Sequence, residues 1–203
     1  MARPRLYLAS RSPRRSALLQ QFGLAHRVLS VQVKEELQVH ESPAEFVQRL
    51  ALEKASAGRA SPGASLDIPV LGADTVVVID GQILSKPSDH EESRRHLRKL
   101  SGRVHEVVTG VAMISKQARV RLCTTRVWFR ELTRDEIERY CLSGESIGKA
   151  GSYAVQGLAA LFIKRLEGSY SGVMGLPLFE TGELLSEVGI DVLVRQYCHA
   201  AGR

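Results

Sequence analysis

Aromatic residues make up only 5% of the 203 positions, with a single Trp, and no basic stretch is interleaved with them. That argues against a surface on which nucleic-acid bases stack. Cys123, Cys141 and Cys198 are too few and too scattered for a disulfide framework and lack metal-ligand spacing, so reduced thiols are expected. The dispersed histidines offer no His-x-x-x-His pair, which removes the usual helix-borne zinc motif. No segment approaches the roughly 18 to 20 unbroken apolar residues that span a bilayer. The N-terminus is charged, with no following apolar run and cleavage site. A cytoplasmic protein with no membrane partner is expected.

With 44% hydrophobic and 25% charged residues, the chain can bury a proper core. The net charge of +6 suits an anionic partner. An anionic metabolite draws on that field as well as a polynucleotide does, and the scarcity of aromatics argues against nucleic acid as the partner.

The most informative local feature is Ser10-Arg11-Ser12-Pro13-Arg14-Arg15, between the apolar run Leu6–Ala9 and a helical stretch from Ser16 to Phe22. Ser12 reads as a helix N-cap and Pro13 as the first helical position, so free first-turn N–H groups and two guanidinium groups converge on a point suited to phosphate. Farther on, Ser42-Pro43-Ala44-Glu45 is a capping box opening a helix to about Gly58, with Phe46, Val47, Leu50 and Ala51 on its buried face. After a Ser/Gly/Ala/Pro-rich linker, residues 70–79 read as a strand apolar on both faces, and Asp80-Gly81 as a two-residue hairpin turn returning through Gln82-Ile83-Leu84. Ser88 and Glu91 suggest a capping box for a helix through Leu100, stopped by Ser101-Gly102. Strands near 104–114 and 120–129, a Thr133-to-Glu136 box opening a helix to Leu142, strand material around 158–166 and a last helix from about Pro177 to Val188 follow. Alternating strands and helices imply an α/β fold with a mixed central sheet and flanking helices.

Asp74 stands out because a carboxylate inside a doubly apolar strand requires a cation or hydrogen-bond donors. An ideal hairpin register sets Thr75 opposite Lys86 and so places Lys86 diagonally from Asp74, within reach only at a bulge or at the strand end that Pro87 imposes. Glu35 and Glu36 follow an alternating stretch, Val28 to Val33, at an expected strand end. Either is solvated or folds back to bind Mg²⁺ or Mn²⁺ with Asp74. Lys54 falls on the buried stripe of its helix, either snorkelling or delivering a cation to the same cleft. The loop Lys149-Ala150-Gly151-Ser152-Tyr153-Ala154-Val155-Gln156-Gly157 offers a cation, a phenol and an amide able to read a nucleobase edge.

Together, Leu8-Ala9-Ser10-x-Ser12-Pro13-Arg14-Arg15, Glu53-Lys54-Ala55, Gly72-Ala73-Asp74-Thr75, Lys86-Pro87, Leu100-Ser101-Gly102, Lys149-Ala150-Gly151-x-Tyr153-x-x-Gln156-Gly157 and Gly175-Leu176-Pro177 resemble the Maf family of nucleoside triphosphate pyrophosphatases, over nearly the whole chain. The resemblance implies one domain over 1–203, with two lobes around a cleft and a fold related to inosine triphosphatases. It implies a homodimer and hydrolysis of a nucleoside triphosphate to monophosphate and pyrophosphate with a divalent metal. On it, Asp74 matches the general base, Ser10, Arg15, Lys54 and Lys86 match triphosphate-holding groups, and Glu35 with Asp74 matches the metal ligands. Many members carry Asp-Glu where this chain reads Lys34-Glu35.

Arg14, Thr75 and Gln156 match the subgroup acting on dTTP and UTP, whereas the sister group acting on 7-methyl-GTP carries Trp, Gln and Glu there. A nucleotide-sensing regulator without catalysis is the remaining alternative, and it has no need of Asp74.

Overall fold

The computed structural model describes residues 4–193, so Cys198 lies outside the described residues. Seven strands form one mixed sheet: β1 (Leu6–Leu8), β2 (His26–Val28), β3 (Val70–Ile79), β4 (Gln82–Leu84), β5 (Val104–Ile114), β6 (Ala118–Phe129) and β7 (Ile163–Glu167). Their order is β2-β1-β3-β5-β6-β7, with β4 added to β3. The β2/β1 and β1/β3 pairs are parallel and the rest antiparallel. Helices α1 (Pro13–Gln21), α2 (Pro43–Arg59), α3 (His90–Leu100), α4 (Arg134–Leu142), α5 (Tyr170–Met174) and α6 (Leu178–Glu187) flank it. No described helix is long and apolar enough to cross a membrane.

Local signals place most elements. Capping boxes open α2 at Ser42/Glu45 and α4 at Thr133/Glu136. The Asp80-Gly81 turn takes positive φ at both residues, as a tight hairpin requires. The cap of α3 is shifted by one residue: Asp89 accepts from the Glu92 N–H at 2.7 Å, while the Ser88 hydroxyl donates to the Glu92 carboxylate at 2.8 Å. The α1 cap also differs from expectation. Pro13 is the first helical residue, but the Ser12 side chain makes no cap bond, and its N–H instead donates to Ser10 Oγ at 3.3 Å. Residues 29–42 are irregular, because β2 ends at Val28. Residues 158–162 form a short 3₁₀ helix, and strand β7 begins only at Ile163.

One sheet edge carries the functional geometry. β1 pairs with β3 at Val70–Leu71 and β4 pairs with the same edge at Val77–Ile79, while the opposite edge pairs with β5 from Val70 through Val78. Residues 72–76 therefore have a ladder partner on one side only, and the sheet opens into a slot there. Asp74 and Thr75 lie in the slot.

The pleat sends the two residues to opposite faces. On the Thr75 face, the apolar core is split. Leu71, Ala73, Val111 and Met113 join α1 and α6, whereas Val77, Ile79 and Val107 join α3 and α4. On the other face, Val76, Val78 and Val108 pack under Phe46, Val47 and Leu50 of α2.

Two glycines set how closely α2 lies. A Cβ on Gly72 would stand 2.2 Å from the Ala51 carbonyl oxygen, and one on Gly110 would stand 2.5 Å from that of Val47. Helix backbone thus rests directly on sheet backbone, which lowers Lys54 onto Asp74.

Candidate active site

A cavity of about 380 Å³ fills the slot and the seam between the two halves of the core. The structure brings every sequence-predicted site residue to its wall: Ser10, Arg14, Arg15, Glu35, Lys54, Asp74, Thr75, Lys86 and Gln156.

At its floor, Lys54 Nζ donates to Asp74 Oδ1 and to Glu35 Oε1, each at 2.6 Å. Lys54 and Asp74 are buried. Of the two roles open to Lys54, the helix has therefore delivered a cation to the cleft. Lys86 does not reach Asp74. Since β4 stops at Leu84, its exposed side chain extends to Glu35 Oε2 at 2.8 Å. Partial desolvation opposes ionisation of Glu35, but hydrogen bonds and charge from Lys54 and Lys86 outweigh it and hold the carboxyl at about 2.

Glu36 turns away and pairs with Lys34 at the surface. Glu35 enters from an irregular segment, so it needs a tether, and Arg49 on α2 provides one. Arg49 donates to both oxygens of Glu41, to the Glu36 carbonyl and to Glu53. Sequence reasoning missed Arg49; its one local signal was the Arg49/Glu53 i,i+4 pair.

Two carboxylates from distant segments thus converge on one point that the protein fills with its own ammonium group. Such a donor set fits a divalent cation of the Mg²⁺ type, which takes one or two carboxylates and completes its shell with water and phosphate oxygens. No group of three or more His, Cys, Asp or Glu side chains arranged to hold a metal occurs among the described residues.

The anion turn forms the opposite wall. Arg15 is buried, and its guanidinium donates from Nε to the Gly175 carbonyl at 2.7 Å, from Nη1 to Ser10 Oγ at 3.1 Å and from Nη2 to Thr75 Oγ1 at 3.2 Å. Arg14 differs. It is half-buried and makes no hydrogen bond or ion pair among the described residues. Lys149 faces the same space, its ammonium pushed below its usual pKa by burial first and by the Arg14 charge second. Two cations held near each other across a cleft favour an anion between them.

Gln156 is exposed at the cavity wall, with its amide unpartnered among the described residues. Tyr153 forms part of the wall, but its hydroxyl bonds His105 Nε2 at 2.8 Å in the core. The loop carrying these groups turns sharply at Gly151 and Ser152, both at φ 64°. Ser152 is held there by His96 Nδ1 at 2.8 Å. The role of His96 was not legible in the sequence, because nothing near it in the chain points to residue 152. Cys123 and Cys141 are free and buried away from this chemistry.

A family model described as Maf-like protein matches residues 5–188. The dTTP/UTP pyrophosphatase of Alkalilimnicola ehrlichii is 52% identical over 193 residues, covering 93% of this chain and 95% of that protein. The dTTP/UTP pyrophosphatase of Saccharophagus degradans is 48% identical over 189 residues, covering 92% and 90%. Among solved structures, the Staphylococcus aureus Ham1 protein aligns with 61% of this chain and 71% of that one, at 17% identity and a TM-score of 0.44. The matched span takes in the anion turn, the slot in β3 and the loop bearing Gln156, and the chain belongs to the Maf family.

Proposed function

We infer that this chain hydrolyses dTTP and UTP to the monophosphate and pyrophosphate in the cavity between the two halves of its core. The observation that carries the reading is the Asp74–Lys54–Glu35 cluster facing the Arg14–Arg15 turn, in a chain about half identical to proteins named dTTP/UTP pyrophosphatases.

The two walls divide the work. Arg15 and the open first turn of α1 take the triphosphate oxygens, where N–H groups and the helix dipole favour negative charge. Asp74 orients a water for attack on the α-phosphorus and accepts its proton. Its Oδ1 is paired with the Lys54 ammonium at 2.6 Å, which fixes the carboxylate in the slot. The bond that breaks is α–β, and pyrophosphate leaves. Lys54 and Lys86 lie where they can offset the charge that grows on the transferred and departing oxygens, the largest lever in phosphoryl chemistry. Mg²⁺ or Mn²⁺, when held by Glu35 and Asp74 with the phosphates, would supply Lewis-acid polarisation of the phosphate oxygens.

Arg14, Thr75 and Gln156 select the base. A uracil or thymine edge offers one N–H flanked by carbonyl oxygens, which the donor and acceptor of the Gln156 amide complement. The reading extends to a single domain over 1–203 acting as a homodimer in the cytoplasm.

A panel of dTTP, UTP, GTP and 7-methyl-GTP with Mg²⁺ or Mn²⁺ in ¹⁸O water tests the reaction. Turnover of dTTP and UTP with label in the monophosphate is expected. Label in pyrophosphate, or preference for 7-methyl-GTP, would overturn the reading.

A further inference from the structure

We propose that Thr109 is a positioning residue for triphosphate binding: through Thr75, it fixes the guanidinium of Arg15. The inference rests on the pyrophosphatase reading for the identity of the anion and goes beyond it by adding a residue on β5 that does not line the cavity.

Thr75 and Thr109 are directly opposite one another in the β3/β5 ladder. Both fall at the seam of a face that is otherwise apolar. On β3, Thr75 separates Ala73 in one half of the core from Val77 in the other, and on β5 Thr109 separates Val111 from Val107 in the same way. A hydroxyl pair in such a place costs desolvation unless each group is bonded. Thr109 is fully buried.

Thr109 links Thr75 to α5. Thr109 Oγ1 lies 2.9 Å from the Gly172 carbonyl oxygen and 3.0 Å from Thr75 Oγ1. Thr109 is the donor toward both, and its one proton is shared between the Gly172 carbonyl and Thr75 Oγ1. The Thr75 oxygen, held in place by Thr109, also accepts from Arg15 Nη2 at 3.2 Å. Thr75 Oγ1 is thus held between two donors, Arg15 and Thr109, and Thr109 is itself anchored on the Gly172 carbonyl.

Arg15 is fixed from two further sides by Ser10 and by the Gly175 carbonyl. Two of its anchors, Thr75 through Thr109 and Gly175 directly, therefore end on carbonyls at or just past α5. The remaining N–H groups of the fork are left for an oxyanion. Arginine gains its advantage over lysine from this fixed geometry, and a guanidinium free to tilt loses it.

Removing only the Thr109 hydroxyl tests the relay. Thr109→Val keeps the shape, Thr109→Ser keeps the hydroxyl, and Thr109→Ala serves with Thr109→Ser as a second matched pair if the valine variant does not fold. Binding of inorganic tripolyphosphate and of a non-hydrolysable α,β-methylene analogue of UTP is measured by calorimetry on the full chain.

Thr109→Val and Thr109→Ala should bind both probes about five- to tenfold more weakly, the scale of one buried hydrogen bond, and Thr109→Ser should restore binding. In an Arg15→Lys background the Thr109 substitutions should add nothing. Equal binding by the valine and serine variants, or an undiminished loss in the Arg15→Lys background, would overturn the proposal. If tripolyphosphate binding follows this pattern while wild-type protein hydrolyses neither dTTP nor UTP, the substrate reading fails and the relay stands.

Discussion

Lys54 Nζ lies 2.6 Å from Asp74 Oδ1, with both side chains almost completely withdrawn from solvent. The pair joins a helix face to the open slot of β3, and Glu35 closes the cluster from a segment with no regular structure. Asp74 is therefore fixed in position at the buried floor of the cavity, and a general base must be positioned in this way.

Asp74→Asn preserves shape and leaves an oxygen to accept from Lys54, whose charge Glu35 still balances. The fold should survive, with an unchanged circular dichroism spectrum. Turnover of dTTP should fall by about 10² to 10⁴-fold, the usual worth of general base catalysis. Near-normal turnover would remove Asp74 from the mechanism.

Gly110→Ala tests how the cluster is placed. The added methyl would meet the Val47 carbonyl oxygen at 2.5 Å, a backbone atom that can yield only if α2 lifts. A loss of about 1 to 3 kcal/mol is expected from such overpacking, measured by urea unfolding. Activity at temperatures where the variant stays folded should also fall, because α2 carries Lys54. A stable variant with full activity would show that the close approach of α2 does not set the site.

Gln156→Glu replaces a donor and acceptor with acceptors alone. Discrimination in favour of dTTP and UTP over GTP should weaken by roughly 1 to 3 kcal/mol in kcat/KM, the cost of leaving one polar group unmatched. If the preference is unchanged, the base is read elsewhere, with Arg14 the next residue to test.

His105 predicts a pH dependence of stability. Burial depresses its pKa to about 3. The unfolded chain binds this proton below its ordinary value near 6.5 while the folded chain does not, so the contribution is complete above about pH 6.5 and is lost as pH falls toward 3. The loss is on the order of 4 kcal/mol over that range. His105→Gln, which can still bond Tyr153, should flatten the profile in urea titrations at a series of pH values. An unaltered slope would place the acid sensitivity in other groups.

How much could be read in advance varied with the distance over which each signal acts. The α2 and α4 caps, the Asp80-Gly81 turn and the apolar stripe of α2 depend on residues a few positions apart, and each was legible. The α3 cap slipped by one because Ser88/Glu91 and Asp89/Glu92 satisfy the same spacing, and only backbone geometry chose between them. The strand expected over Val28 to Val33 failed because alternation alone does not supply a partner: past Val28 the neighbouring β1 has ended.

Sequence alone determined the chemistry available: an anion turn, an isolated aspartate in an apolar strand, lysines on a buried stripe and after a hairpin, and the family to which they belong. Tertiary structure decided which of these groups meet. Lys54 rather than Lys86 neutralises Asp74, because Gly72 and Gly110 let α2 rest on the sheet while β4 ends too early. Arg15 is braced through Thr75 and Thr109, because β3 and β5 pair in a register that sets two hydroxyls side by side at a seam in the core. Pairing register and helix approach are properties of the assembled sheet, and no local stretch of sequence encodes them.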